Sequence, residues 1–229
     1  MSAEPNAQVD YWRETFWMND DLPWHFKTPN KFLVKHEARL VDGKTGIRIL
    51  VPLCGKSVDL KWLYDQGHEV IGVEGTPFAI EAFFRENKLQ YTMSNFESHG
   101  FKYQTPDQRL TILNCNLLTL KDHGYKHTCD AVWDRASLVA VRPEHRPLFA
   151  KNVKGFLKPN FRYLIEAIEY DSTKVYVEPF ALFEKELEQL YSDCAKITQL
   201  ESCSVKETEK EPLLSHVVVF EVVYILQNK

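Results

Sequence analysis

Apolar residues along this chain fall into short runs that alternate with periodic stripes, a pattern that predicts a layered α/β protein. Ile47-Arg48-Ile49-Leu50-Val51 is long enough for a buried parallel strand and too short for an independent helix. The run stops at Pro52. Ser57 then offers an N-cap to a helix whose apolar members, Val58, Leu60, Trp62, Leu63 and Tyr64, recur at helical spacing until Gly67. Glu69 to Val73 predicts a second buried strand with Glu74 at its carboxyl end, so the unit reads strand, helix, strand.

The same reading extends in both directions. Ala7 to Met18 predicts a helix carrying Tyr11, Trp12, Phe16 and Trp17, followed by Trp24, His25 and Phe26, and Pro29 to Leu40 puts Phe32, Leu33, His36 and Leu40 on one stripe. Downstream, Thr76-Pro77 opens a helix with Phe78, Ile80, Phe83 and Phe84 as its buried stripe. Residues 92 to 109 read as an irregular polar excursion. Leu110 to Cys115, Asp130 to Trp133 and Phe161 to Ile168 are the next three strands, with a helix from Arg142-Pro143-Glu144 to Leu157 before the last of them. Glu178-Pro179-Phe180 is expected to start a further helix that buries Leu182, Phe183, Leu187, Leu190 and Tyr191. Ala195 to Cys203 and His216 to Leu226 are joined by the charged loop Lys206 to Glu211, too short for a crossover helix, so they should form an antiparallel pair at one sheet edge.

No Pro/Gly/Ser-rich linker divides the 229 residues, which predicts one domain spanning 1–229. Composition narrows the function. A net charge of −4 argues against a nucleic-acid groove, which would show a clustered basic excess. Five cysteines without C-x-x-C spacing suggest neither a disulfide framework nor a zinc ribbon, and they fit a reducing cytoplasm. His123, His127 and Cys129 carry donor atoms, but Gly124 interrupts any helix between the histidines and no metal site is expected. With no apolar run of ~18 residues, no membrane partner is expected either, and a cytoplasmic monomer is the simplest expectation.

In a strand-helix-strand unit of this kind, ligands bind outside the carboxyl ends of the strands, and an acid after the second strand binds ribose hydroxyls. Gly55 and Glu74 stand at those two places. A dinucleotide would call for G-x-G-x-x-G, whereas S-adenosylmethionine has no pyrophosphate and needs fewer glycines. On these two residues alone, an ordinary turn with a solvated glutamate is an equal reading.

Longer phrases go further. Pro52-Leu53-Cys54-Gly55-Lys56-Ser57, Lys61-Trp62, the stretch Gly67 to Glu74, and Trp133-Asp134-Arg135-Ala136-Ser137-Leu138-Val139-Ala140 together resemble the thiopurine S-methyltransferase family, over most of the chain. The resemblance implies a Rossmann-like class I methyltransferase fold: a mostly parallel seven-stranded sheet with an antiparallel C-terminal strand and helices on both faces. It also implies S-adenosylmethionine as cofactor and a small-molecule thiol as substrate. Trp12, Trp17, Leu53, Cys54, Gly55, Glu74, Asn116, Leu117 and Arg135 fall at cofactor positions. Trp24, Phe26, Asp134 and Lys210 fall on the substrate side, and Arg135 is the catalytic candidate. In this family residues 1–27 would form an aromatic lid over the site. Trp17 and Trp24 keep the family's seven-residue spacing, whereas Trp12 precedes Trp17 by five residues where the family has four. Lys210 stands where mammalian relatives carry an arginine, and a lysine cannot fork onto a planar acceptor.

Bland alternatives accompany several of these residues. The tryptophans could staple an N-terminal helix to the core, Asp134 could cap the following turn, and Arg135 could make a surface ion pair. Two other functions also fit the pattern, a nicotinamide-dependent oxidoreductase and a non-catalytic nucleotide-binding module.

Overall fold

The computed structural model describes residues 5–19, 22, 24–121, 123–205 and 214–229. Its centre is the predicted unit. Strand β1 (Arg48–Pro52) leads through α3 (Val58–Asp65) to β2 (Glu69–Glu74), which pairs with β1 in parallel. Ser57 caps α3, its hydroxyl accepting from Asp59 N at 3.2 Å. Strands β5 (Leu110–Asn114), β6 (Cys129–Arg135) and β7 (Leu157–Glu169) extend the parallel core on either side. The C-terminal strands β8 (Ala195–Ser204) and β9 (Phe220–Asn228) are antiparallel to each other, with β9 inserted between β7 and β8.

Alternation along the strands sends side chains to two helical layers. Ile49, Val70, Trp133 and Leu164 face α2 (Lys31–Val41), α3 and α4 (Pro77–Glu86), where they meet Leu33, Leu40, Leu60 and Phe83. Leu50, Ile71, Val132 and Ile165 face the opposite layer, α5 (Arg146–Phe156) and α6 (Glu184–Tyr191), through Phe149, Val153 and Leu187. The aromatic segment forms α1 (Pro5–Thr15) and a 3-10 turn, Trp17–Asn19. No helix among the described residues is long and apolar enough to cross a membrane.

Four expectations are corrected. The sheet has nine strands, in the order β3-β4-β5-β2-β1-β6-β7-β9-β8, because the excursion folds as the hairpin β3 (Thr92–Phe96) and β4 (Gly100–Gln104) on β5. The outer strand is exposed along most of its length, so it carries no apolar alternation to read. Phe78 lies on the outward side of α4, and the buried stripe runs through Ala79, Ile80, Phe83 and Phe84. Residues 178–183 are not helical. Backbone bonds there go to distant partners, Phe180 N to Val139 O at 2.8 Å and Leu182 N to Ile168 O at 2.9 Å, so α6 starts only at Glu184, with Phe183 exposed. The final strand starts at Phe220 rather than His216, since Val217 and Val219 turn into a small apolar cluster with Tyr170 and Leu214.

Candidate active site

The carboxyl ends of β1, β2 and β6 and the loop after β5 open on one cavity of about 860 Å³, and the N-terminal aromatic segment lines its other side. At one pole stands Glu74, only 8% exposed. Its Oε2 accepts from Gly55 N at 2.9 Å and its Oε1 from Thr76 N at 2.7 Å, so the carboxylate ties together the loops after β1 and β2. Burial raises its pKa, and the surrounding N–H donors oppose that rise. The Thr76 side chain and the Gly75 backbone also donate toward this carboxylate, which stays at the cavity wall.

The two loops also receive the N-terminal segment. Gly55 has φ +51°, and a Cβ there would come within 3.0 Å of the Trp17 ring. At Gly75 a Cβ would come within 2.7 Å of Val9 Cγ1. Bare backbone at these positions lets α1 and the turn after it lie on the loops. Trp12, Phe16 and Trp24 form a triangle of rings, with centroids 4.9 to 5.0 Å apart, and all three line the cavity. Leu53, at φ +41°, and Cys54 line the cavity beside Gly55, and burial raises the Cys54 thiol pKa well above its ordinary value. Asn116 lines it as well, its Oδ1 accepting from Leu118 N at 2.9 Å.

At the other pole is Arg135, at the end of β6. Its Nη1 donates to Trp24 O at 2.6 Å, its guanidinium lies 4.2 Å from the centre of the half-exposed Phe26 ring, and its Nε stands 3.9 Å from Glu166 Oε2. Arg135 therefore ties the aromatic segment to the sheet.

Two expected residues lie elsewhere. Strand alternation turns Asp134 away from Arg135 and into the core, where it is 1% exposed. Its carboxylate accepts from Ser137 Oγ, from Leu138 N at 3.2 Å and from Tyr163 Oη at 2.7 Å, which makes it the brace of the turn after β6. Leu117 is fully buried in the core, and its neighbour Leu118 lines the cavity instead. Lys210 lies outside the described residues.

Comparison with known proteins decides what this cavity belongs to. The family model described as Thiopurine S-methyltransferase matches residues 7–229. The chain belongs to the thiopurine S-methyltransferase family. The rabbit enzyme (Oryctolagus cuniculus) is 31% identical over 96% of this chain and 90% of its own length, and the mouse enzyme (Mus musculus) 30% over 100% and 98%. Among solved structures, Burkholderia thailandensis 1,6-didemethyltoxoflavin-N1-methyltransferase matches with TM-score 0.65 at 16% identity, covering 100% of this chain and 92% of that one. N-methyltransferase NodS from Bradyrhizobium japonicum matches with TM-score 0.62 at 12% identity, covering 96% and 98%. These two share the fold. As a member of the thiopurine S-methyltransferase family, the chain is an S-adenosylmethionine-dependent methyltransferase.

In this thiopurine S-methyltransferase relative the Arg135 pole of the cavity also holds Glu166, which was not among the expected site residues. Glu166 lies mid-strand in β7, in register with Arg135 of β6, and it lines the cavity at 7% exposure. Asn30 Nδ2 donates to its Oε2 at 2.7 Å. Burial raises its pKa to about 7; Arg135 opposes that rise, whereas Glu221 and Asp59 add to it. The available signal was a charge inside the otherwise apolar run Tyr163 to Ile168. Histidines 123 and 127 are engaged in packing and hydrogen bonding, the first ring 4.3 Å from Phe156 and the second donating from Nδ1 to Leu157 O at 2.9 Å. Among the described residues no group of three potential metal ligands occurs.

Proposed function

We propose that this chain transfers a methyl group from S-adenosylmethionine to the sulfur of heteroaromatic or other small thiols, as a single cytoplasmic domain that works as a monomer. The observation that carries the reading is one cavity with a buried carboxylate at one pole, Glu74, and a guanidinium at the other, Arg135. The donor set fits the cofactor: Glu74 offers lone pairs to ribose hydroxyls, Asn116 and the Leu53 to Gly55 loop offer polar groups and backbone, and Trp12 and Trp17 offer aromatic faces to a cation. S-adenosylmethionine supplies an electrophilic methyl group on a sulfonium. The protein's own part is to bind, orient and exclude water. A thiolate near Arg135 is favoured by the adjacent positive charge, and Trp24 and Phe26 give a planar acceptor an aromatic wall. Residues 1–27 act as the lid that shuts out solvent.

Two measurements test this. Calorimetry should detect S-adenosylmethionine and S-adenosylhomocysteine binding and no NADH binding. Methyl-labelled cofactor should then label the sulfur of members of a panel of heteroaromatic and aliphatic thiols. Binding of NADH with no binding of the methionine-derived ligands would replace the reading with an oxidoreductase, and cofactor binding with no transfer to any small molecule would favour a binding module.

A further inference from the structure

Glu166 has no part in the scheme above, although it lies within the same cavity. Four elements bring charged or polar groups toward it. Asn30, ahead of α2, donates to Oε2, and Arg135 approaches the same oxygen from β6. Glu221 on β9 lines the cavity beside it and is held by Lys31 at 2.6 Å. Asp59 on α3 accepts hydrogen bonds from Asn30 N and Trp133 Nε1, both at 2.8 Å. Among the described residues both contacts to the Glu166 carboxylate fall on Oε2, and the residue lines the cavity.

We propose that Glu166 is the general base that removes the proton from acceptor thiols too weakly acidic to ionise unaided, which extends the acceptor range from acidic heteroaromatic thiols to aliphatic ones. This inference rests on the S-methyltransferase reading. In the step, the S–H bond breaks and its electron pair stays on sulfur. The proton forms an O–H bond at Glu166 and passes to water once the thioether leaves. Arg135 stabilises the resulting thiolate, and Asn30 keeps the carboxyl group aimed at the cavity. A carboxyl group poised near pH 7, as this one is, is well matched to such a transfer. Charges facing Glu166 act in opposite senses, with Arg135 favouring the carboxylate and Glu221 and Asp59 favouring the protonated form.

The test compares Glu166→Gln and Glu166→Asp with the parent on 2-mercaptoethanol and on an acidic heteroaromatic thiol, from about pH 5.5 to 9 at saturating cofactor. S-adenosylhomocysteine affinity of each variant reports folding. For 2-mercaptoethanol, Glu166→Gln should lose about 10²-fold in kcat at pH 7 together with the fall of the rate below neutral pH, and Glu166→Asp should recover part of the loss. The acidic thiol should lose at least about tenfold less than 2-mercaptoethanol does in Glu166→Gln, without a change in the shape of its pH profile. Equal losses on both thiols, or an unchanged rate on 2-mercaptoethanol, would overturn the assignment of Glu166 alone. A parent enzyme that methylates neither thiol would overturn the S-methyltransferase reading and this step with it.

Discussion

The two poles of the cavity are built differently. The hydrogen bonds that hold Glu74 are local: β1, its loop, β2 and the turn that follows supply the carboxylate and its N–H donors, and the N-terminal segment adds only packing. Around Arg135 the partners come from far along the chain, with Trp24 at the N-terminal end, Asn30 before α2 and Glu166 on β7. A local pole depends on one supersecondary unit, so it is preformed as soon as that unit folds. The distant pole is complete only with Trp24 and Phe26 of the N-terminal segment against Arg135. Cofactor binding should therefore tolerate perturbations that abolish acceptor positioning.

Removing residues 1–27 should break this comparison most strongly. Trp17 on Gly55 and Val9 on Gly75 would go, and so would the Trp24 carbonyl that receives Arg135. Methyl transfer should fall by about 10²-fold or more, because a displaced acceptor costs orders of magnitude, and melting should still show a folded domain. A truncated protein with the parent's melting and turnover would remove the lid.

Asp134→Ala should have the next largest effect, and it should act on stability. Tyr163 Oη, Ser137 Oγ and Leu138 N would lose their buried acceptor, at a cost of about 2 to 3 kcal/mol, read as a lower denaturant midpoint. Cofactor affinity of the folded protein should stay within about threefold. A variant with parental stability and lost activity would return Asp134 to the cavity.

The smallest effect is a pH dependence of melting. The folded protein holds the Glu166 carboxyl above its ordinary range, at about 7, so its contribution is fully present below about pH 4.5 and is lost as pH rises toward 7. Glu166→Gln does not ionise. The melting temperature of this variant relative to the parent should therefore rise from pH 5 to pH 8, and a difference independent of pH would contradict the raised value.

The contrast between the poles also explains what the sequence could tell. Glu74 and Gly55 were legible because the unit that contains them announces itself in a few dozen residues: an apolar run, a cap at Ser57, a stop at Gly67 and a second run. The parallel core and the C-terminal antiparallel pair followed from the same periodicity. The β3–β4 hairpin did not, since its outer strand is solvated, although Gly100 carried a signal: a Cβ there would lie 2.1 Å from Asn114 O. Asp134 and Arg135 are adjacent in a strand and must point to opposite sides, so only one of them could face the ligand, and the pleat alone would have separated their roles. The pairing of Glu166 with Arg135 depends on β6 and β7 lying side by side in register, a relation between segments that no local pattern contains.

The separation of the poles is tested most directly by titrating S-adenosylhomocysteine into the parent, Glu74→Ala and Arg135→Ala proteins, with turnover of an acidic heteroaromatic thiol measured at saturating cofactor. Loss of the Glu74 acceptor should weaken binding by about 1.5 to 3 kcal/mol, roughly 10- to 100-fold, and leave turnover near the parent value once cofactor saturates. Arg135→Ala should weaken binding less than Glu74→Ala does, while turnover falls by about 10² to 10³ even at saturation. Equal weakening of cofactor binding by both substitutions, with parental turnover at saturation in Arg135→Ala, would contradict the account.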